Sequence, residues 1–153
     1  MMATEVDTTT MHVFVVEDNP VDVELLQVAL EMQEGWSTET VVAEDGEEAI
    51  SLLEEQAANP RLQKPDLILL DLNLPRRDGT EVLQMIRSTF ELSDLIVAIL
   101  SSSPSDAVQQ RFSQACVTAD AYFEKPGTFE EYMKFGRKLH EWYSDQLERR
   151  PPQ

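Results

Sequence analysis

Cysteine is nearly absent from the sequence. The single residue, Cys116, can form no internal disulfide and no thiolate cage for a metal. Basic residues are scarce too: 12 Lys and Arg stand against 29 Asp and Glu, a formal charge of −17. Such a chain is repelled by phosphate backbones and anionic lipid, so nucleic acid and membrane surfaces are poor partners for it. Its dense basic runs are two pairs, Arg76-Arg77 and Arg149-Arg150. No uninterrupted apolar run approaches the ~18 residues of a membrane span. Residues Met1 to Thr10, with Glu5 and Asp7, lack the charged-then-apolar order of a leader. These absences lead us to expect a soluble, acidic, cytoplasmic protein.

What is present suits one globular domain. A length of 153 residues corresponds to about one domain, which can hide roughly 70% of its unfolded surface. Hydrophobic residues at 42% and charged ones at 27% are near globular averages, which excludes disordered and fibrous classes. Residues 1–10, polar and Thr-rich, are expected to be a loose tail, 11–148 the domain, and 149–153 a second tail.

Short apolar runs alternate with helical periodicity along the chain. The strands are expected at His12–Val16, Thr40–Ala43, Asp66–Asp71, Asp94–Leu100 and Ala121–Glu124. Asn19-Pro20 is a helix start, Asn as cap and Pro at the first position, for a helix carrying Val21, Leu25, Val28, Ala29 and Met32 and closed by Gly35. Asp45-Gly46 opens a second helix with Ala49, Ile50, Leu52 and Leu53. Asp78-Gly79 opens a third with Val82, Leu83, Ile86 and Phe90. A fourth runs through Val108 and Phe112, and a long last helix follows Lys125-Pro126-Gly127 to about Leu147. Five strands alternating with five helices predict an α/β fold: a five-stranded parallel sheet, doubly wound, with helices on both faces. We find no second domain in the sequence.

In such sheets ligands bind beyond the carboxyl ends of the strands. Those ends carry Glu17-Asp18, Asp71, Ser101-Ser102-Ser103 and, after the last strand, Lys125. Carboxylates crowded together repel unless a cation neutralises them. Hard oxygen donors without His or Cys favour Mg²⁺ or Mn²⁺ over zinc, and Mg²⁺ pairs naturally with phosphate oxygens. Asp71 is the candidate nucleophile for an acyl phosphate. Lys125 would neutralise a phosphoryl oxygen and Ser101 would donate to another.

Val15-Val16-Glu17-Asp18-Asn19-Pro20, Asp66 to Pro75 with Asp78-Gly79, Leu100-Ser101-Ser102-Ser103 and Lys125-Pro126 together resemble the receiver domain of two-component response regulators, over about residues 12–147. The resemblance implies a flavodoxin-like fold and a phosphoryl group accepted on Asp71 from a phosphohistidine of a sensor histidine kinase. It implies Mg²⁺ held by Glu17, Asp18, Asp71 and the Asn73 carbonyl. Ser101 would be the switch hydroxyl, with Ser102 the alternative, and Tyr122 its aromatic partner. The Lys125-Pro126 bond would be cis. Glu17 stands where Asp is commoner, so its longer side chain could reach the metal through water. The Leu-Ser-Ser-Ser strand end, the longer segments around the second helix and Trp142-Tyr143 in the last helix resemble the single-domain regulators paired with phytochrome-type kinases. Such a module would signal by docking and dephosphorylate itself slowly, with no separate substrate to turn over.

Apolar residues spread over about half of the last helix, wider than a stripe packed on one sheet face needs. Phe135, Leu139, Trp142 and Tyr143 are therefore candidates for a two-fold homodimer surface, with packing over the sheet edge as the alternative. Cys116 is expected to be a small buried residue at a helix end, and Arg76-Arg77 either a kinase-docking pair or a solvated loop. Competing functions are an Mg²⁺-dependent aspartyl-phosphate phosphohydrolase, a flavin binder and a receiver-shaped scaffold. Asn73, standing where such phosphatases carry a second acid, weighs against the first.

Overall fold

Apolar runs with no polar alternation must be covered on both faces, and that requirement shapes the molecule. A computed structural model describes residues 10–33, 35–72, 79–102, 110, 113–114 and 117–149. Its strands are β1 (Thr10–Val16), β2 (Ser37–Ala43), β3 (Leu67–Asp71), β4 (Ile96–Ser101) and β5 (Ala121–Glu124). The helices described are α1 (Pro20–Glu31), α2 (Gly46–Ala58), α3 (Gly79–Ser88) and α4 (Phe129–Arg149). All strand pairs are parallel, in the order β2-β1-β3-β4-β5, a flavodoxin-like doubly wound sheet. Val108 and Phe112 of the fourth expected helix lie outside the described residues, as do Asn73, Arg76, Arg77, Asp78 and Cys116, while Gln110, Ser113 and Gln114 are helical.

Successive strand residues point to opposite faces, so each run feeds two cores. Phe14, Val16, Ile68, Leu70, Val97 and Ile99 meet Ala49 and Leu53 of α2 and Val82, Leu83 and Ile86 of α3. Val13, Val15, Leu67, Leu69 and Ala98 meet Leu26, Ala29 and Leu30 of α1 and Tyr132, Phe135 and Leu139 of α4. Every position of β3 and β4 is buried. β2, at the sheet edge, alternates exposed and covered residues instead. Each fully buried Leu or Ile contributes about 1.5–3 kcal/mol relative to exposure. A capping bond is worth about 1 kcal/mol, so packing outweighs caps in holding the helices.

The caps nonetheless set where helices begin. The Asn19 side chain accepts the Val21 N–H at 2.9 Å, with Pro20 in the first turn. The Asp45 side chain accepts the Glu48 N–H at 2.7 Å, while Glu48 reaches back to the Glu44 N–H. Two expected faces are corrected. In α1 the buried stripe is Leu26, Ala29 and Leu30, while Val21 and Met32 are exposed, because the helix turns its i, i+3, i+4 set to the sheet. Phe90 follows the end of α3 and is 88% exposed, since that helix stops at Ser88.

Candidate functional site

Doubly wound sheets open a crevice where strand order reverses, here between β1 and β3. Glu17 directly follows β1, its N–H held by the Ala43 carbonyl at 3.0 Å, and Asp71 is the last residue of β3. Both carboxylates are almost completely buried, while Asp18 is exposed at the rim. One oxygen from each of Glu17, Asp18 and Asp71 lies within 4.8 Å of the others. A cleft of about 450 Å³, lined in part by Glu17, Asp18, Glu24 and Glu44, opens beside them.

Lys125 enters from the end of β5, anchored by its N–H to the Ser101 carbonyl at 2.8 Å. Its Nζ lies 2.7 Å from Glu17 Oε1, 3.1 Å from Asp71 Oδ2 and 3.4 Å from Asp22 Oδ2. Glu17 Oε2 also accepts the Asn19 N–H at 3.1 Å. Burial lifts the Glu17 carboxyl from 4.5 to about 7, opposed by the Lys125 hydrogen bond and aided by the Asp71 charge. Burial works against the Lys125 ammonium as well, but its bonds to Glu17 and Asp71 outweigh it and hold Lys125 above the usual lysine range.

The donor set fits a divalent cation. All three acids offer oxygen, and one ammonium cannot neutralise two buried carboxylates and a neighbour at the rim. Oxygens sharing one Mg²⁺ lie at most about 4.2 Å apart, twice its ~2.1 Å bond, so small side-chain adjustments would suffice. Asn73, whose carbonyl was the fourth expected ligand, lies outside the described residues.

Ser101 ends β4 one register step beyond the Asp71–Leu100 pairing, and is buried, whereas Ser102 is exposed. Tyr122 is half-buried on the α2–α3 side of the sheet, its hydroxyl accepting the Ala119 N–H at 3.2 Å. One expectation is corrected. The Lys125–Pro126 bond is trans rather than cis, the isomer favoured by about 0.5–1 kcal/mol in X–Pro bonds. Of the residues expected at a homodimer surface, Phe135, Leu139 and Tyr143 are buried within this chain. Phe123 meets Phe135 and Trp142 edge-on, and Trp36 meets His140 and Tyr143, so the breadth of α4 is absorbed over the sheet edge. Trp142 alone of the four is half-buried.

Two residues of this network escape sequence reasoning. Asp22 sits in the first turn of α1, one helical turn beyond Asp18, and its Oδ1 accepts the Tyr132 hydroxyl at 2.9 Å. Tyr132 reads in sequence as one more apolar residue of the last helix. The i, i+4 spacing of Asp18 and Asp22 across a helix start was the available signal.

Residues 13–135 match the response regulator receiver domain family. Response regulator Rcp1 of Synechocystis sp. is 35% identical over 94 residues, 61% of this chain and 63% of that protein. Transcriptional regulatory protein TrcR of Mycobacterium tuberculosis is 34% identical over 125 residues, 82% of this chain and 43% of that protein. The chain thus spans from 43% to 63% of the length of these two relatives. Among solved structures, the phosphorylated cyanobacterial phytochrome response regulator RcpA superposes with a TM-score of 0.77 at 31% identity, covering 90% of this chain and 96% of that one. The Mn²⁺-bound form of Rcp1 gives 0.74 at 27% identity, covering 87% and 94%. Sequence, sheet order and the acids at the strand ends agree: the chain belongs to the response regulator receiver domain family.

Proposed function

We propose that the chain is a phosphorylation-controlled signalling module that accepts a phosphoryl group on Asp71 from a sensor histidine kinase. The observation that carries this is Lys125 Nζ bridging Glu17 and Asp71, with Asp18 beside them at the carboxyl edge of the sheet. An Asp71 oxygen attacks the phosphorus of a phosphohistidine. The new O–P bond forms as the P–N bond breaks, and the departing imidazole takes up a proton. Glu17, Asp18, Asp71 and the Asn73 carbonyl would hold Mg²⁺, or Mn²⁺ in its stead, and the ion when bound neutralises phosphoryl oxygens. Lys125 offers its ammonium to one phosphoryl oxygen and Ser101 its hydroxyl to another, with Tyr122 following the hydroxyl inward. Water later cleaves the acyl phosphate slowly and returns the carboxylate.

The likeness to RcpA, named a phytochrome response regulator, supports a phytochrome-type kinase as the phosphodonor. Output would be docking to other proteins in the cytoplasm. A second copy is one such partner, with the half-buried Trp142 as its remaining apolar candidate. Intact-mass measurement after incubation with acetyl phosphate and Mg²⁺ tests the reading. One added phosphate in the parent and none in Asp71→Asn is expected; equal gain in both chains would contradict it.

A further inference from the structure

Asp22 touches the pocket without belonging to its acid cluster. Its Oδ2 lies 3.4 Å from Lys125 Nζ, and its Oδ1 accepts the hydroxyl of Tyr132 at 2.9 Å. Tyr132 is only 1% exposed, so its hydroxyl is fixed in place by the packing of α4. The α1 and α4 backbones meet closely just beyond: a Cβ on Gly136 would lie 2.7 Å from the Ala29 carbonyl oxygen. The Asp22 carboxylate is therefore aimed by one helix at a lysine that serves the sheet edge.

A lysine ammonium has three donors, and three carboxylates surround this one: Glu17, Asp71 and Asp22. A phosphoryl oxygen arriving at Asp71 needs one of those donors. The contact easiest to give up is the longest, at Asp22, which is also the one carboxylate of the three outside the acid cluster. Its negative charge, moreover, stands a few ångströms from where a dianionic group would arrive, and repels it.

From this geometry we infer that Asp22 is a positioning residue that competes with the phosphoryl group for Lys125, and that Tyr132 acts on the pocket through Asp22. The inference rests on the phosphoryl-accepting reading of Asp71. It makes the unphosphorylated pocket self-restraining: Lys125 is retained by Asp22 until a phosphoryl oxygen takes its place, and release of Asp22 is then felt by Tyr132 in α4.

The test is the affinity of the full chain for beryllofluoride, a mimic of the acyl phosphate, measured by fluorine NMR with saturating Mg²⁺. Asp22→Asn keeps an acceptor for Tyr132 but removes the charge, and should bind about two- to fivefold more tightly, within the range expected for losing one partly exposed charge contact. A substitution that merely damages structure would weaken binding, so the direction separates the two. Tyr132→Phe should shift the parent constant yet leave it unmoved when added to Asp22→Asn. Equal or weaker binding by Asp22→Asn overturns the inference while the Asp71 reading stands. A parent chain that binds no more beryllofluoride than Asp71→Asn overturns both.

Discussion

At the scale of single residues, Glu17 is the most informative. Its carboxyl is buried, faces Asp71 and is pushed up to about 7, above its ordinary 4.5. Between those values the folded chain holds more protons than the unfolded one, so stability falls as pH rises through that window. The contribution is whole below about 4.5 and lost as pH passes about 7. We expect the urea midpoint of the metal-free chain to drop between about pH 5 and about pH 8, and Glu17→Gln, which imitates the neutral acid, to flatten that drop; equal slopes would contradict it. That Glu17, Asp18, Asp71 and Lys125 come together was legible because each ends a strand or closely follows one. Asp22 and Tyr132 were not, since their bond joins residues 110 positions apart. No local pattern marks a tyrosine as polar in use when its ring is core.

At the scale of elements, the helix caps and the runs of β3 and β4 were readable because their signals are local. Asn19-Pro20 and Asp45-Gly46 begin α1 and α2 where their chemistry predicts. The buried face of α1 was not, because Val21 and Met32 are as apolar as Leu26 and only tertiary contact decides which side meets the sheet. Arg87 was likewise invisible: from the end of α3 it donates to the Thr118, Ser93 and Leu95 carbonyls and to Asp120, which also accepts the Val97 N–H. This tie secures the starts of β4 and β5, the strands that carry Ser101 and Lys125 to the site. Gly136 of α4 packs closely on Ala29 of α1. Gly136→Ala should cost about 1–3 kcal/mol by overpacking against backbone that cannot yield, read as a lower chemical-denaturation midpoint with unchanged slope. An unchanged midpoint would mean that the helices can separate there freely.

At the scale of the whole molecule, charge dominates. A formal charge of −17 makes the chain repel itself, and Glu17, Asp18 and Asp71 crowd three of its acids together at the carboxyl ends of the strands. Any salt should raise the melting temperature by screening, but Mg²⁺ should raise it further at equal ionic strength, because an ion bound only by the folded chain adds stability by mass action. Asp18→Asn should remove that extra increment and keep the screening part; an increment that survives would place the ion elsewhere. Composition leads us to expect neither nucleic acid nor lipid as a favoured partner, and among the described residues no helix is long and apolar enough to cross a membrane. Part of the apolar breadth of α4 that suggested a homodimer surface meets Phe123 and Trp36 of this same chain. The most direct measurement is a crystal structure grown with Mg²⁺ and beryllofluoride. The account predicts an ion bound among Glu17, Asp18 and Asp71, and beryllofluoride on the Asp71 carboxylate within reach of Lys125 and Ser101. Well-ordered crystals with that pocket empty, or with the mimic on another side chain, would contradict it.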